Sequence, residues 1–290
     1  MIVELAGQPR HGTVLSVATL PKRGLAVRDL GLALPPKAMP RRHGRRPLKR
    51  WRYVGVYTPD LMLCIGDARI GPVPQRWWAV ATPDGKLRER TTFGRGGVDF
   101  DGSSVRVRAR GVAIELRLEE SAGTEIVSPA GDSYIWTRKQ ACVPVRGTVE
   151  LDGHRRSIDG GFGFVDDSAG YHERHTVWRW SAGVGTASDG RPIGWNLVEG
   201  IHDDPFVSER TVWIDGEQQS VGPVTFADDL SQIGGGAELS FTEWSTREHS
   251  TNALIMSSEY RQPFGTFTGT LPGVELTQGY GVMEHHDVRW

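Results

Sequence analysis

The sequence predicts an all-β fold. Three observations carry that expectation: apolar and charged residues alternate with period two, turn signals recur at short intervals, and no amphipathic run of helical length interrupts them. Composition agrees. The chain of 290 residues holds 37 glycines and 10 tryptophans; glycine serves frequent turns, and tryptophan suits strands and apolar cavities.

The chain opens with a basic stretch. Lys37, Arg41, Arg42, Arg45, Arg46, Lys49, Arg50 and Arg52 follow one another without an acid, among Pro35, Pro36 and Pro40. Residues 1–48 are therefore expected to form a basic N-terminal arm, with residues 37–50 exposed and removable without unfolding the barrels. At most, such an arm makes transient contact with an anionic membrane surface.

Strands follow. WRYVGVY (51–57), LMLCIGDARIG (61–71) and RWWAVAT (76–82) are separated by TPD and GPVP, and Asp84-Gly85 marks a hairpin. In SVRVRARGVAIELRLEE (104–120), Val105, Val107 and Ala109 face one way and Arg106, Arg108 and Arg110 the other. After a bulge or bend at Gly111 the alternation resumes at Ile114, Leu116 and Leu118.

Hydrophobic residues make up 38% and charged ones 24%, so a large core is within reach, and the net charge of −1 offers no bulk attraction to nucleic acid. Cys64 and Cys142 are too few for a disulfide scaffold. With no apolar leader in MIVELAGQPR, a cytoplasmic protein is expected.

A faint repeat divides the chain. Gly161-Phe-Gly-Phe-Val-Asp166 matches Gly279-Tyr-Gly-Val-Met-Glu284, each followed by histidines and then Arg-Trp, at Arg179-Trp180 and Arg289-Trp290. Two related antiparallel β-barrels are expected, 49–147 and 148–290, with the boundary somewhere in 135–160.

The segments KRWRYVGVYTPDLMLCIGDARIGPVPQRWWAV, ACVPVRGTVELDG, GFVDDSAGYHERHTVWRWSAGVG, GWNLVEGIHD, YRQPFGTFTGTLPG and GVMEHHDVRW resemble a bacterial family of uncharacterised function. That family is distantly similar to the lipocalin-like double-barrel group of carotenoid hydratases, tocopherol cyclases, fungal cycloaddition enzymes and lipid-binding survival factors. The resemblance implies two packed calycin-type barrels and a cavity for a hydrophobic small molecule. The wider group's Gly-x-Tyr-x-Asp-His-x-Trp-Gly-like signature is present here in its ingredients but with different spacing.

Candidate site residues cluster at GGFGFVDDSAGYHERHTVWRW (160–180). If 172–180 is one strand, His172, Arg174, Thr176, Trp178 and Trp180 share a face, expected to line a lumen, and His175 lies opposite. In PIGWNLVEGIHDD, Trp195, Leu197 and Glu199 share a face with Asn196 behind them. Adjacent Asp166 and Asp167 cannot both be deep and ionised without partners, so one is expected to be protonated or paired with Arg174. Asp166, Asp167, Tyr171, His172 and Glu199 are the candidate acid–base groups; Trp178, Trp180, Trp195, Arg174, His175 and Asn196 are the candidate ligand contacts. An ordinary turn at Asp166–Gly170 is the bland alternative. Glu284, His285 and His286 are expected to be structural residues of a closing strand.

His172-x-x-His175 diverges on a strand, so no metal is expected, and no phosphate loop or nucleophile elbow appears, so no cofactor is expected either. Two functions remain: a hydratase, cyclase or isomerase working by acid–base chemistry on an isoprenoid- or lipid-like molecule, or a non-enzymatic carrier of one.

Overall fold

A computed structural model describes residues 20–94, 96–253 and 256–290. Short pieces come first: β1 (Lys22–Arg23), a 3-10 helix (Gly24–Leu30), and the ribbon of β2 (Arg42–His43) and β3 (Arg46–Pro47). A first large sheet runs through β4 (Lys49–Tyr57), β5 (Met62–Ile70), β6 (Val73–Ala81), β7 (Leu87–Phe93), β8 (Val98–Asp101), β9 (Ser104–Ala109) and β10 (Val112–Leu118). It ends with β11 (Thr124–Ala130), β12 (Ser133–Leu151) and β13 (His154–Gly170). A second sheet holds β14 (His175–Ala187), β15 (Pro192–Glu199), β16 (Thr211–Ile214), β17 (Glu217–Ser220) and β18 (Val224–Phe226). Its last strands are β19 (Gln232–Gly235), β20 (Glu238–Ala253), β21 (Met256–Leu271) and β22 (Val274–Arg289).

Both sheets are antiparallel and share one wiring. The first has the order β7-β6-β5-β4-β13-β12-β10-β9-β8, and the second β17-β16-β15-β14-β22-β21-β20-β19-β18. In each, the first long strand is hydrogen-bonded to the last, β4 to β13 and β14 to β22. Each sheet curls until its far strands meet, β8 against β5 and β6, and β18 against β15. The all-β, two-barrel lipocalin-like expectation is met. Gly111 (φ 69°) is a hairpin turn rather than a bend, pairing Ala109 with Val112.

The change of sheet falls at residues 171–174, not near 147. Asp152-Gly153 looks like a boundary but is the turn of one long hairpin, and pairing of β12 with β13 keeps both arms in the first sheet. Likewise, Asp166–Gly170 is strand rather than turn, because β4 and β12 pair with it on both sides.

Each barrel is filled. Val54, Val56, Leu63 and Ile65 join Val105, Ile114 and Val145 inside the first; Trp195, Leu197, Val212, Phe267 and Met283 fill the second. The opposite faces of the same strands pack against each other: Tyr57, Met62 and Phe164 of the first sheet meet Trp213, Phe264 and Val282 of the second. Strands buried on both faces read as near-continuous apolar runs, which hides from sequence which face is the lumen.

The basic stretch is exposed over most of 37–45, but the arm is tied down on either side of it. Residues 1–19 lie outside the described residues, but 20–48 pack down: Val27, Leu34 and Met39 are buried against Val127, Tyr134, Trp136, Ala169 and Tyr171. β1 adds itself to β11, and Arg23 donates across to the second sheet, to the Ser208 carbonyl at 2.7 Å and Thr211 Oγ1 at 2.9 Å. The apolar residues spaced among the charges cover an otherwise wet face of β11–β13, while the cationic heads other than those of Arg23 and Arg46 stay outside. Among the described residues, no helix is long and apolar enough to cross a membrane.

Candidate functional site

Where the outer faces of β4–β7, β12 and β13 meet those of β14, β15 and β20–β22, packing is incomplete. A cavity of about 350 Å³ remains, with Trp51, Tyr53 and Trp77 on one side and Trp178, Trp180 and Tyr260 on the other. Small-molecule sites run from about 300 to 1,000 Å³, so the space suits a compact ligand. Local sequence makes the aromatic wall possible: a Cβ on Gly66 would meet the Trp77 ring at 2.0 Å, so only glycine lets that ring lie across β5.

Of the three buried carboxyl groups that line this cavity, Asp166, Glu209 and Glu284, two stand at equivalent positions, one from each barrel. Asp166 sits on β13 and Glu284 on β22, the two ends of the repeated hexapeptide. The surroundings repeat too. Trp51 Nε1 points at Asp166 Oδ2 (3.4 Å), and Trp178 Nε1 donates to Glu284 Oε1 (2.8 Å). The strand on the other side supplies Lys139 to Asp166 (2.6 Å) and Gln262 Nε2 to Glu284 Oε2 (2.8 Å).

Asp166 belongs to a buried triad. Lys139 Nζ lies between Asp166 and Glu209 Oε1 (3.3 Å), while Thr137 Oγ1 donates to Glu209 Oε2 at 2.8 Å. Burial works against the Lys139 charge, but the two carboxylates outweigh it and hold its proton more tightly than usual. Burial also opposes ionisation of Glu209, yet Lys139 and the donors around it bring its pKa below the ordinary value. One ammonium cannot neutralise both acids. Burial, reinforced by the Glu209 charge, pushes Asp166 up despite Lys139.

Glu284 touches only neutral donors: the Trp178 indole, the Gln262 amide and the Tyr260 hydroxyl at 3.0 Å. Burial raises its pKa, and these donors offset that only in part. Behind it Arg247 is held by Glu89 (2.8 Å) and Gln262 Oε1 (3.2 Å); burial disfavours its charge, but these surroundings keep it firmly protonated. His286 packs on Trp178 with ring centroids 4.4 Å apart, and burial drops its pKa to about 3.

The residues singled out from sequence scatter over several places. Asp166, Trp178 and Trp180 line the cavity. Asn196 stands behind Trp180, accepting its indole N–H at 2.8 Å and donating to the Glu209 carbonyl at 2.9 Å. His172 is fully buried between Trp51 and Trp290, outside the lining, and burial holds it well below the usual histidine value. Six of the named residues lie elsewhere. Asp167 points to the opposite face of β13, where Arg52 (2.9 Å) and Arg138 (2.6 Å), not Arg174, pair with it. Tyr171 anchors the N-terminal segment through the Pro40 carbonyl at 2.8 Å. Trp195 fills the second lumen, its N–H on Ser181, and Glu199 sits at that barrel's rim with Arg179 (3.5 Å) and the Phe226 amide. Arg174 and His175 are exposed, His175 facing Asp287. For Asp167, Trp195 and Glu199 the cause is strand parity, since the cavity lies between barrels and not inside one; Tyr171 and Arg174 fall in the break between β13 and β14, outside any strand.

Glu284 and His286, expected as structural residues, line the cavity, as do Lys139, Glu209 and Arg247. The pattern Trp51-Arg-Tyr53 against Trp178-Arg-Trp180 is the sequence signal that marks both half-sites. Among the described residues, no group of three or more His, Cys, Asp or Glu side chains is placed to hold a metal ion.

The fold is similar to that of kievitone hydratase from Nectria haematococca, with a TM-score of 0.54 over 81% of this chain and 88% of that one at 12% identity. Weaker likenesses are a putative AttH from Nitrosomonas europaea (TM-score 0.44, 15% identity, 87% and 98% covered) and CghA with Sch210972 (0.46, 10%, 87% and 93%). No curated protein sequence matches the chain. Residues 85–290, more than half the sequence and both carboxyl positions, match one family pattern, and the chain belongs to that family, the domain of unknown function DUF2804.

Proposed function

We propose that the chain binds an apolar small molecule between its barrels and performs acid–base chemistry on it: hydration, cyclisation or isomerisation. One observation carries this reading: two buried carboxyl groups with raised proton affinity enter one aromatic cavity from equivalent strands. Such a pair divides the work of acid and base. Glu284, touching no cation, donates its proton to a polarised double bond or carbonyl. The indole faces of Trp178 and Trp180 stabilise the cation that forms. Asp166, whose raised proton affinity suits a base, takes the proton released when water adds or when a neighbouring C–H bond breaks. The hydratase of similar fold supports the reading by analogy only.

Mass spectrometry of organic extracts from protein purified without detergent names the ligand, which is then incubated with fresh enzyme. The expected result is a product heavier by one water, or an isomer of equal mass. Glu284→Gln and Asp166→Asn should still bind it but lose about 2 to 4 orders of magnitude in turnover. A ligand recovered unchanged from wild type, with affinity shifts of about 1–3 kcal/mol in the variants, means a carrier instead.

A further inference from the structure

A second concavity, of about 660 Å³, opens on the other face of β4 and β13, where the N-terminal segment leaves the first barrel's rim uncovered. Arginines dominate it: Arg28, Arg50, Arg52, Arg69, Arg76 and Arg138 line it, against Asp67, Glu125 and Asp167. Most are occupied. Arg52 and Arg138 hold Asp167 and Glu120, Arg76 holds Asp67 at 3.1 Å, and Arg28 holds Glu125. Arg50 and Arg69 are different. They are direct partners in the β4–β5 register, both exposed, and among the described residues neither meets a carboxylate. Like charges placed opposite each other on a sheet repel.

The cleft wall adds a second unsatisfied group. Trp136, only 4% exposed, lines the cleft with its Nε1–H buried and unpartnered. Phe100, with the Arg52 guanidinium 5.7 Å from its ring centroid, and Pro35, Pro36 and Pro74 give the cleft flat apolar sides. Two free guanidinium groups and one indole N–H are donors only, and the buried, unpartnered Ser168 hydroxyl beside them can also donate, so the set selects for an oxyanion.

We propose that this cleft is a binding site for a phosphate or carboxylate group, held between Arg50 and Arg69. It is separate from the cavity between the barrels: Asp166 faces one and Asp167 the other from adjacent positions of β13. The ligand's anion relieves the Arg50–Arg69 repulsion, and its apolar body lies along the aromatic and proline walls.

The test is calorimetric titration of the full chain, at low salt, with inorganic phosphate and with benzoate. Cosedimentation with phosphatidylcholine vesicles, with and without phosphatidic acid, runs alongside. Wild type should bind at least one of these anions, and Arg50→Gln/Arg69→Gln should weaken that binding about 10-fold or more. The anion-free melting temperature should stay the same or rise. Arg50→Lys/Arg69→Lys should fall between, since lysine keeps the charge but loses the bidentate fork. Binding of free phosphate or benzoate assigns a soluble ligand; binding only to phosphatidic acid vesicles, lost in the Gln variant, assigns a lipid headgroup. No binding to any of them, or equal binding by wild type and the Gln variant, overturns the site.

Discussion

The two barrels carry the same half-site, made twice and tuned differently. On β13, Asp166 has a tryptophan on one neighbouring strand and Lys139 on the other; on β22, Glu284 has a tryptophan and Gln262. Tyr53 and Trp180, the residues paired with the two acids in register, meet edge to face at 5.6 Å. Repetition fixes where each acid stands. What differs is the neighbour: an ammonium shared with a second acid, Glu209, in the first half, and a neutral amide in the second. A duplicated scaffold thus supplies two similar groups in different electrostatic settings.

The largest expected effect strikes at that neighbour. Lys139→Met leaves Asp166 and Glu209 buried without their cation and should cost about 3–5 kcal/mol at neutral pH, recovering in part as acid protonates them. The counterpart Gln262→Met removes one neutral donor from Glu284 and one neutral acceptor from Arg247, which keeps Glu89, and should cost about 1–3 kcal/mol. Equal costs in urea unfolding would break the distinction between the halves.

Acid should expose a second difference. Two residues beyond its acid the second half carries His286, while the first carries Ser168, which does not titrate. Unfolded, His286 takes its proton near 6.5; folded, burial delays this to about 3. Between those values the unfolded chain binds the extra proton, so this contribution is whole above about pH 6.5 and drains away toward pH 3. The loss is roughly 2–4 kcal/mol. His286→Gln should flatten that slope, as stability measured across the window would show, whereas Ser168→Ala should leave it unchanged.

The smallest effect sharpens the picture from the other side. Asp166→Asn keeps the shape and leaves Lys139 with Glu209 as a balanced pair, so stability should change by less than about 1 kcal/mol. A loss of several kcal/mol would mean that Asp166, not Glu209, is the essential counterion.

How far the sequence speaks depends on whether one strand face is wet. From Ser104 to Leu118 the arginines alternate with valine, isoleucine and leucine, and the hairpin could be read directly. At β4 and β14 both faces are buried, so Val54 and Val56 look no more internal than Trp51 and Tyr53, and lumen and interface could not be told apart. The matched hexapeptides did mark Asp166 and Glu284 as equivalents. Lys139, Glu209 and Arg247 gave no local signal, because a lone charge in a strand acquires meaning only from partners far away in sequence. The arm misled for a related reason: charge outweighed the few apolar residues that dock it.

Arg23 reaches across 185 positions to the carbonyl of Ser208. A polypeptide made from its N-terminus offers that guanidinium long before its acceptors exist. The first barrel can close while the ribosome is still working; the tie between the halves has to wait for residues 208–211 to emerge. The segment itself can dock on β11–β13 as soon as those strands form, but its tie to the second sheet closes later, and a nascent chain halted before Ser208 holds a finished barrel with that fastening still open.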